Sequence, residues 1–175
     1  MEDVTITATR RLTFSAGHRV AGHESKCANI HGHNFVAEIE TAAPALDAVG
    51  RVIDFSVIKR DVGGWIDREW DHRFLLWEED EHHTAMADLP GLVLLPFNPT
   101  AENLAAFLIQ KGQELLSPFG ILVVRVRIYE TENCWVESSP DSMQVEILPG
   151  LVDRRAEIAR TILDFPAGGK RTGGR

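Results

Sequence analysis

Cysteine is scarce in this chain, with only Cys27 and Cys134 among 175 residues. Two thiols cannot build a disulfide framework, so stability must come from a packed core, and in a reducing compartment both stay free. No apolar run approaches the roughly 20 residues needed to span a bilayer. The opening Met1-Glu2-Asp3 lacks the basic-then-apolar layout of a signal peptide. A cytoplasmic protein without a membrane partner is the expectation. Positive charge is outnumbered, with 18 Lys and Arg against 26 Asp and Glu, a net −8. That balance argues against a nucleic-acid partner, which needs a basic footprint. It also obliges any anionic substrate to find a locally basic entry. No repeat of solenoid period occurs, and no low-complexity core.

Apolar residues are present in ordinary proportion, 44 % of the chain, enough for one real core. A single domain over residues 1–166 is expected, with its core at 4–148. The Gly-rich, basic residues 167–175 read as a flexible tail. Val4 to His18 is rich in β-branched and apolar residues and reads as a strand; residues 19–30 are a polar loop. His33 to Glu40 alternates as a second strand and closes a wide hairpin. Asp54 offers an N-cap to a helix carrying Phe55, Ile58, Val62 and Ile66 at helical spacing. Gly63 and Gly64 weaken that helix by up to about 1 kcal/mol each relative to Ala, so tertiary packing must hold it. Residues 77–83 are too charged for core, and Gly91 to Phe97 is a short apolar run. Thr100 is a credible N-cap for a second helix with Leu104, Phe107, Leu108 and Leu115, ending before Pro118-Phe119-Gly120. Ile121 to Glu130 and Met143 to Leu148 read as strands, and 151–163 as a further amphipathic helix. The order ββααββ predicts an antiparallel α+β sheet rather than alternating βαβ units.

The histidines carry the chemistry. His31 and His33 lie two apart at a strand start, and period two puts both on one face. His18 ends the preceding strand, which the hairpin brings alongside. Three imidazoles converging from paired strands are the donor set of a catalytic zinc with one open position. Cys27, four residues before His31, has two readings: a fourth ligand closing a structural site, or a reactive thiol. A thiol reacts as thiolate, which needs nearby positive charge such as Lys26 or a bound metal. Asp71-His72 can pair as carboxylate and oriented imidazole on a turn. Glu130 falls in phase with Val124, Val126 and Ile128, while Arg125, Arg127 and Tyr129 point the other way. It either emerges into solvent or accepts adjacent N–H groups from a flat heterocycle such as a pterin. His23, His82 and His83 sit in polar segments and read as solvated.

Six segments, FSAGHR (14–19), KCANIHGH (26–33), VIDFSVIK (52–59), DHRFL (71–75), NPTAEN (98–103) and YETENCW (129–135), together resemble the 6-pyruvoyltetrahydropterin synthase family. The resemblance implies His18, His31 and His33 as zinc ligands, with Cys27, Asp71 and His72 as the catalytic trio. Glu130 and Thr100 then hold the pterin ring. It implies the T-fold, a four-stranded antiparallel sheet with two helices on one face. Subunits of that fold join into a barrel, commonly a homohexamer of two trimers, with sites between subunits. The three-residue spacer from Cys27 to His31 is similar to that of the bacterial carboxy-forming branch. Members of that branch convert 7,8-dihydroneopterin triphosphate to 6-carboxy-5,6,7,8-tetrahydropterin, acetaldehyde and triphosphate, toward 7-deazaguanines such as queuosine. Arg19, Lys26 and Arg73 border these motifs and are candidates for the triphosphate.

Overall fold

A computed structural model describes residues 6–140 of the chain. The strand expected at 143–148, the helix at 151–163 and the tail at 167–175 lie outside the described residues. Within them, one sheet forms the frame of the molecule. Strand β1 (Thr7–His18) pairs antiparallel with β2 (His31–Ala42), and β2 with β5 (Leu122–Thr131). Strand β5 turns back into β6 (Cys134–Ser138), a strand not expected from the sequence. Two short strands, β3 (Arg73–Trp77) and β4 (Leu92–Leu95), extend the other edge by parallel pairing on β1. The order is β4-β3-β1-β2-β5-β6. The sheet is therefore six-stranded and mixed where four antiparallel strands were expected, and the α+β class holds.

One face of this sheet is dry. Phe35, Ala37 and Ile39 from β2 and Val126 and Ile128 from β5 are fully buried, and two helices cover them. The first helix starts at Asp54, whose carboxylate accepts the N–H of Ser56 at 2.8 Å. It runs through Phe55–Ile58, a π-turn at Lys59–Gly63 and Gly64–Glu69, presenting Ile58, Val62 and Ile66 inward. The second (Ala101–Leu116) buries Leu104, Leu108 and Leu116 completely. Each such side chain contributes roughly 1.5–3 kcal/mol on burial. Trp65, Trp70, Phe97 and Phe107 fill the space between the helices, with adjacent ring centroids 5.1–5.6 Å apart.

A register shift between Glu40 and Thr41 changes one detail of the expected alternation. Beyond the bulge, Val123 rather than Val124 faces the core, 1 % exposed. Below it, Val126, Ile128 and Glu130 keep the phase read from the sequence.

Candidate functional site

The hairpin register builds the centre of the site. His18 lies opposite His31, and Ala16 opposite His33, so all three imidazoles leave the same sheet face. Their ring centroids stand 4.4–5.3 Å apart, and one ring nitrogen from each lies within 4.8 Å of the others. Two of the rings are oriented from behind. His18 Nδ1 donates to the carbonyl of Pro99 and His31 Nδ1 to that of Asn29, each at 2.8 Å. A carbonyl only accepts, so the proton sits on Nδ1 and the Nε2 lone pair stays free.

His18 Nε2 is buried and has no hydrogen-bond partner. The His18 pKa is lowered to about 4, chiefly by burial, with the Pro99 hydrogen bond opposing and the neighbouring His31 and His33 adding to the fall. His33 is lowered too, by burial first, while Glu130 opposes. A neutral His18 whose buried Nε2 has no partner, with a ring nitrogen each from His31 and His33 within reach, is what a borderline metal ion such as zinc requires. The residues present fit the implied metal.

Beside the triad opens a cavity of about 310 Å³, lined among others by His18, His31, Cys27, Thr100 and Glu130. Glu130 Oε1 lies 3.9 Å from His18 Nε2, and its side chain is 28 % exposed, so the carboxylate faces the cavity rather than bulk water. Thr100 caps the second helix, its Oγ1 accepting from the N–H of Asn103 at 3.3 Å. His23, read from the sequence as solvated, is half-buried and also lines this cavity. Its Nδ1 accepts the N–H of Ser25 at 3.0 Å. No residue pattern signals this, because the loop's path decides it. Asn98 was likewise missed as a site residue. Its side chain makes both hydrogen bonds of a backbone-like pair with Ala21, at 3.0 and 2.8 Å, tying the loop after β1 to the start of the second helix.

Asp71 and His72 are held elsewhere. The Asp71 carboxylate accepts the Ser15 N–H at 2.8 Å through one oxygen and His72 Nδ1 at 2.7 Å through the other. These bonds, the Ser15 N–H first, hold the Asp71 carboxyl below its usual range. His72 has φ 56°, a left-handed conformation that costs a non-glycine residue roughly 1–2 kcal/mol. The His72 N–H bond to Ser15 O, at 2.7 Å, helps to hold it there. The ring is 82 % exposed and projects into a second concavity of about 450 Å³, lined by Ser15, Gly17, Gly32, His33, Asn34 and Arg73 among others. The two concavities share no lining residue. One chain thus brings Cys27, Glu130 and Thr100 to His18 and His31, and carries Asp71-His72 on the concavity that His33 lines.

The three candidate triphosphate cations diverge. Lys26 and Arg73 are exposed. Arg19 is not available to an anion: its side chain is 4 % exposed and bonded to Asp80 and Glu81. Asp80 also overturns the reading of the acidic segment as wholly outside the core, because its side chain is fully buried.

This architecture defines an α+β T-fold chain built around a three-imidazole centre. A family profile described as 6-pyruvoyl tetrahydropterin synthase matches residues 7–141, and the chain belongs to that family. Among curated relatives, a 6-carboxy-5,6,7,8-tetrahydropterin synthase from Rickettsia bellii is 39 % identical over 140 residues, spanning 75 % of this chain and 99 % of that protein. One of the same name from Rickettsia felis is 40 % identical over 136 residues, with the same coverage. Of solved structures, 6-pyruvoyl tetrahydropterin synthase of Caenorhabditis elegans superposes with a TM-score of 0.56 at 26 % identity, covering 77 % of this chain and 94 % of that one. An uncharacterized protein from Wolinella succinogenes reaches 0.71 at 20 % identity, covering 78 % and 99 %, which shows the fold alone. Among the described residues no helix is long and apolar enough to cross a membrane.

Proposed function

We propose that this chain is a zinc-dependent lyase of the carboxy-forming kind. It converts 7,8-dihydroneopterin triphosphate to 6-carboxy-5,6,7,8-tetrahydropterin, acetaldehyde and triphosphate. The observation that carries the proposal is the cavity in which Cys27, Glu130 and Thr100 meet two of three metal-ready imidazoles. The names of the 39–40 % identical relatives support it. His18, His31 and His33 would hold the ion, which when bound supplies Lewis-acid polarisation of substrate oxygens.

The remaining work falls to the chain's own groups. Glu130 accepts two adjacent N–H donors of the pterin ring, a charge-assisted pair that fixes the ring's orientation. Thr100, at the cavity wall, limits its slide. Cys27, as thiolate, takes and returns a proton on the reacting side chain. His72, its Nδ1 held by Asp71, offers Nε2 as the second proton carrier. Lys26 and Arg73 take the triphosphate. A complete site joins the Cys27 cavity of one subunit to the His72 surface of another, a reading supported by Cys27 and His72 lining different concavities. The assembly is a homohexamer of two trimers acting in the cytoplasm.

The test is direct. Zinc-loaded protein is incubated with 7,8-dihydroneopterin triphosphate, products are identified by mass spectrometry and acetaldehyde is assayed in parallel. Carboxytetrahydropterin with acetaldehyde is expected. Pyruvoyltetrahydropterin without acetaldehyde would move the chain to the pyruvoyl-forming branch. No turnover at full zinc occupancy would make it a binding module.

A further inference from the structure

The Arg19–Asp80 pair has no part in the chemistry above, yet it is the most deeply buried ion pair among the described residues. The side chains are 4 % and 0 % exposed. Burying two charges costs more than their attraction returns unless the geometry is excellent, so such a pair calls for a reason other than stability. This one is not even fully satisfied, since Asp80 Oδ2 is buried without a hydrogen-bond partner.

Its geometry supplies the reason. Arg19 directly follows His18. Its guanidinium donates from Nη1 to Asp80, from Nη2 to Glu81 at 3.2 Å, and from Nε to the carbonyl of Ala28 at 2.9 Å. Ala28 is the residue after Cys27 and belongs to the same single 3-10 turn, Lys26–Ala28. That turn has no buried residue of its own to anchor it. Besides bonds within the loop, it is tied back by the Val20 N–H to Cys27 O at 2.8 Å and by Arg19. Asp80 is itself fixed: its carboxylate accepts the His82 N–H at 2.7 Å, and its N–H bonds Trp77 O at the end of β3.

We propose that Asp80, acting through Arg19, is a positioning residue for Cys27. The acidic segment after β3 meets the chain just past the end of β1 and sets the guanidinium, and the guanidinium sets the turn that aims the thiol into the metal cavity. The proposal rests on the reading of Cys27 as the reacting thiol. It assigns a function to a charged segment that carries none of the family motifs. It also removes Arg19 from the triphosphate site.

Two variants of the zinc-loaded protein test it. Asp80→Asn keeps the shape and removes the charge; Arg19→Lys keeps the charge and removes the Nε bond to Ala28. Zinc content, assembly, kcat and KM are measured. So is the rate of Cys27 alkylation by iodoacetamide across pH, read by peptide mass spectrometry with Cys134 as internal reference. Displacing a reacting group by about 1 Å costs on the order of 100-fold. The expected result is a kcat lowered by about 10- to 100-fold with KM within about threefold. Zinc should be retained, and the alkylation profile should change at Cys27 but not at Cys134. Wild-type kcat and a wild-type Cys27 profile in both variants would overturn the proposal. So would a kcat that falls only in proportion to lost zinc, or loss of fold in both variants, since either makes the pair structural. If Asp80→Asn alone fails to fold, Arg19→Lys decides. A wild-type protein inactive on the pterin would sink the proposed function, and the alkylation profile would still decide this one.

Discussion

Two glycines of the metal hairpin and one of the first helix respond to alanine in different ways, and the structure sets the order. At Gly32, between His31 and His33, an added Cβ would lie 2.8 Å from Ala16 O and 3.2 Å from Gly17 Cα. Both are backbone atoms of the paired strand, so relief requires β1 and β2 to part by several tenths of an ångström. The parting falls between the pairs His18↔His31 and Ala16↔His33 that set the triad. Overpacking of this kind costs about 1–3 kcal/mol. If half of that strain falls on the ligand geometry, zinc affinity drops roughly two- to tenfold, since 1.4 kcal/mol is one decade. At Gly17 the Cβ would meet Phe74 Cδ2 at 2.7 Å, a ring edge that can swing, so Gly17→Ala should cost less. Gly64 is helical, φ −63°, and its Cβ would touch only the tip of Arg68 at 3.5 Å. Gly64→Ala should therefore stabilise by about 0.5–1 kcal/mol through the unfolded chain. Urea unfolding of zinc-stripped protein at fixed protomer concentration gives the three values, and chelator competition gives zinc affinity. Gly32→Ala with unchanged stability and zinc affinity, or Gly17→Ala costing more than Gly32→Ala, would refute the account of the hairpin.

Two further outcomes are expected. In zinc-stripped protein His18 titrates at about 4 when folded and at 6.5 when free, so between these values the unfolded chain binds a proton the folded one does not. Stability present above pH 6.5 is then lost as pH falls toward 4, by about 2 kcal/mol between pH 7.5 and 5, with His33 adding in the same sense. Urea unfolding at the two pH values checks this, and equal stabilities would contradict it. Separately, Cys27→Ala and His72→Ala should each retain zinc and lose turnover. Unfolding and reassembling them together should restore about a quarter of wild-type activity, if each site takes one residue from each of two subunits at random. Failure of any mixture to recover activity would place both residues in one subunit's site, and zinc loss in Cys27→Ala would make that thiol a fourth ligand.

What the sequence showed of this site, and what it hid, follows from how far each interaction reaches. The triad was legible because period two and a hairpin are local rules, and H-x-H on a strand has one geometric outcome. Glu130 was legible in phase, although the bulge at Glu40/Thr41 displaced Val124 from the core face, a shift that no residue pattern announces. Strands β3 and β4 escaped because they are short and parallel. Leu75 and Leu76 are adjacent and both fully buried, so the alternation that marks a half-buried strand is missing. Asp80 was hidden most completely. Its neighbours Glu78, Glu79 and Glu81 are exposed, and its partner Arg19 is 61 residues away. Charge density describes a segment's average preference for water, and one member of the run can leave water once the fold supplies a counter-charge. The contrast separates the parts of the site by origin. The three converging imidazoles come from local periodicity and can be read from a motif. The groups that aim the thiol come from long-range closure, and a motif search passes over them.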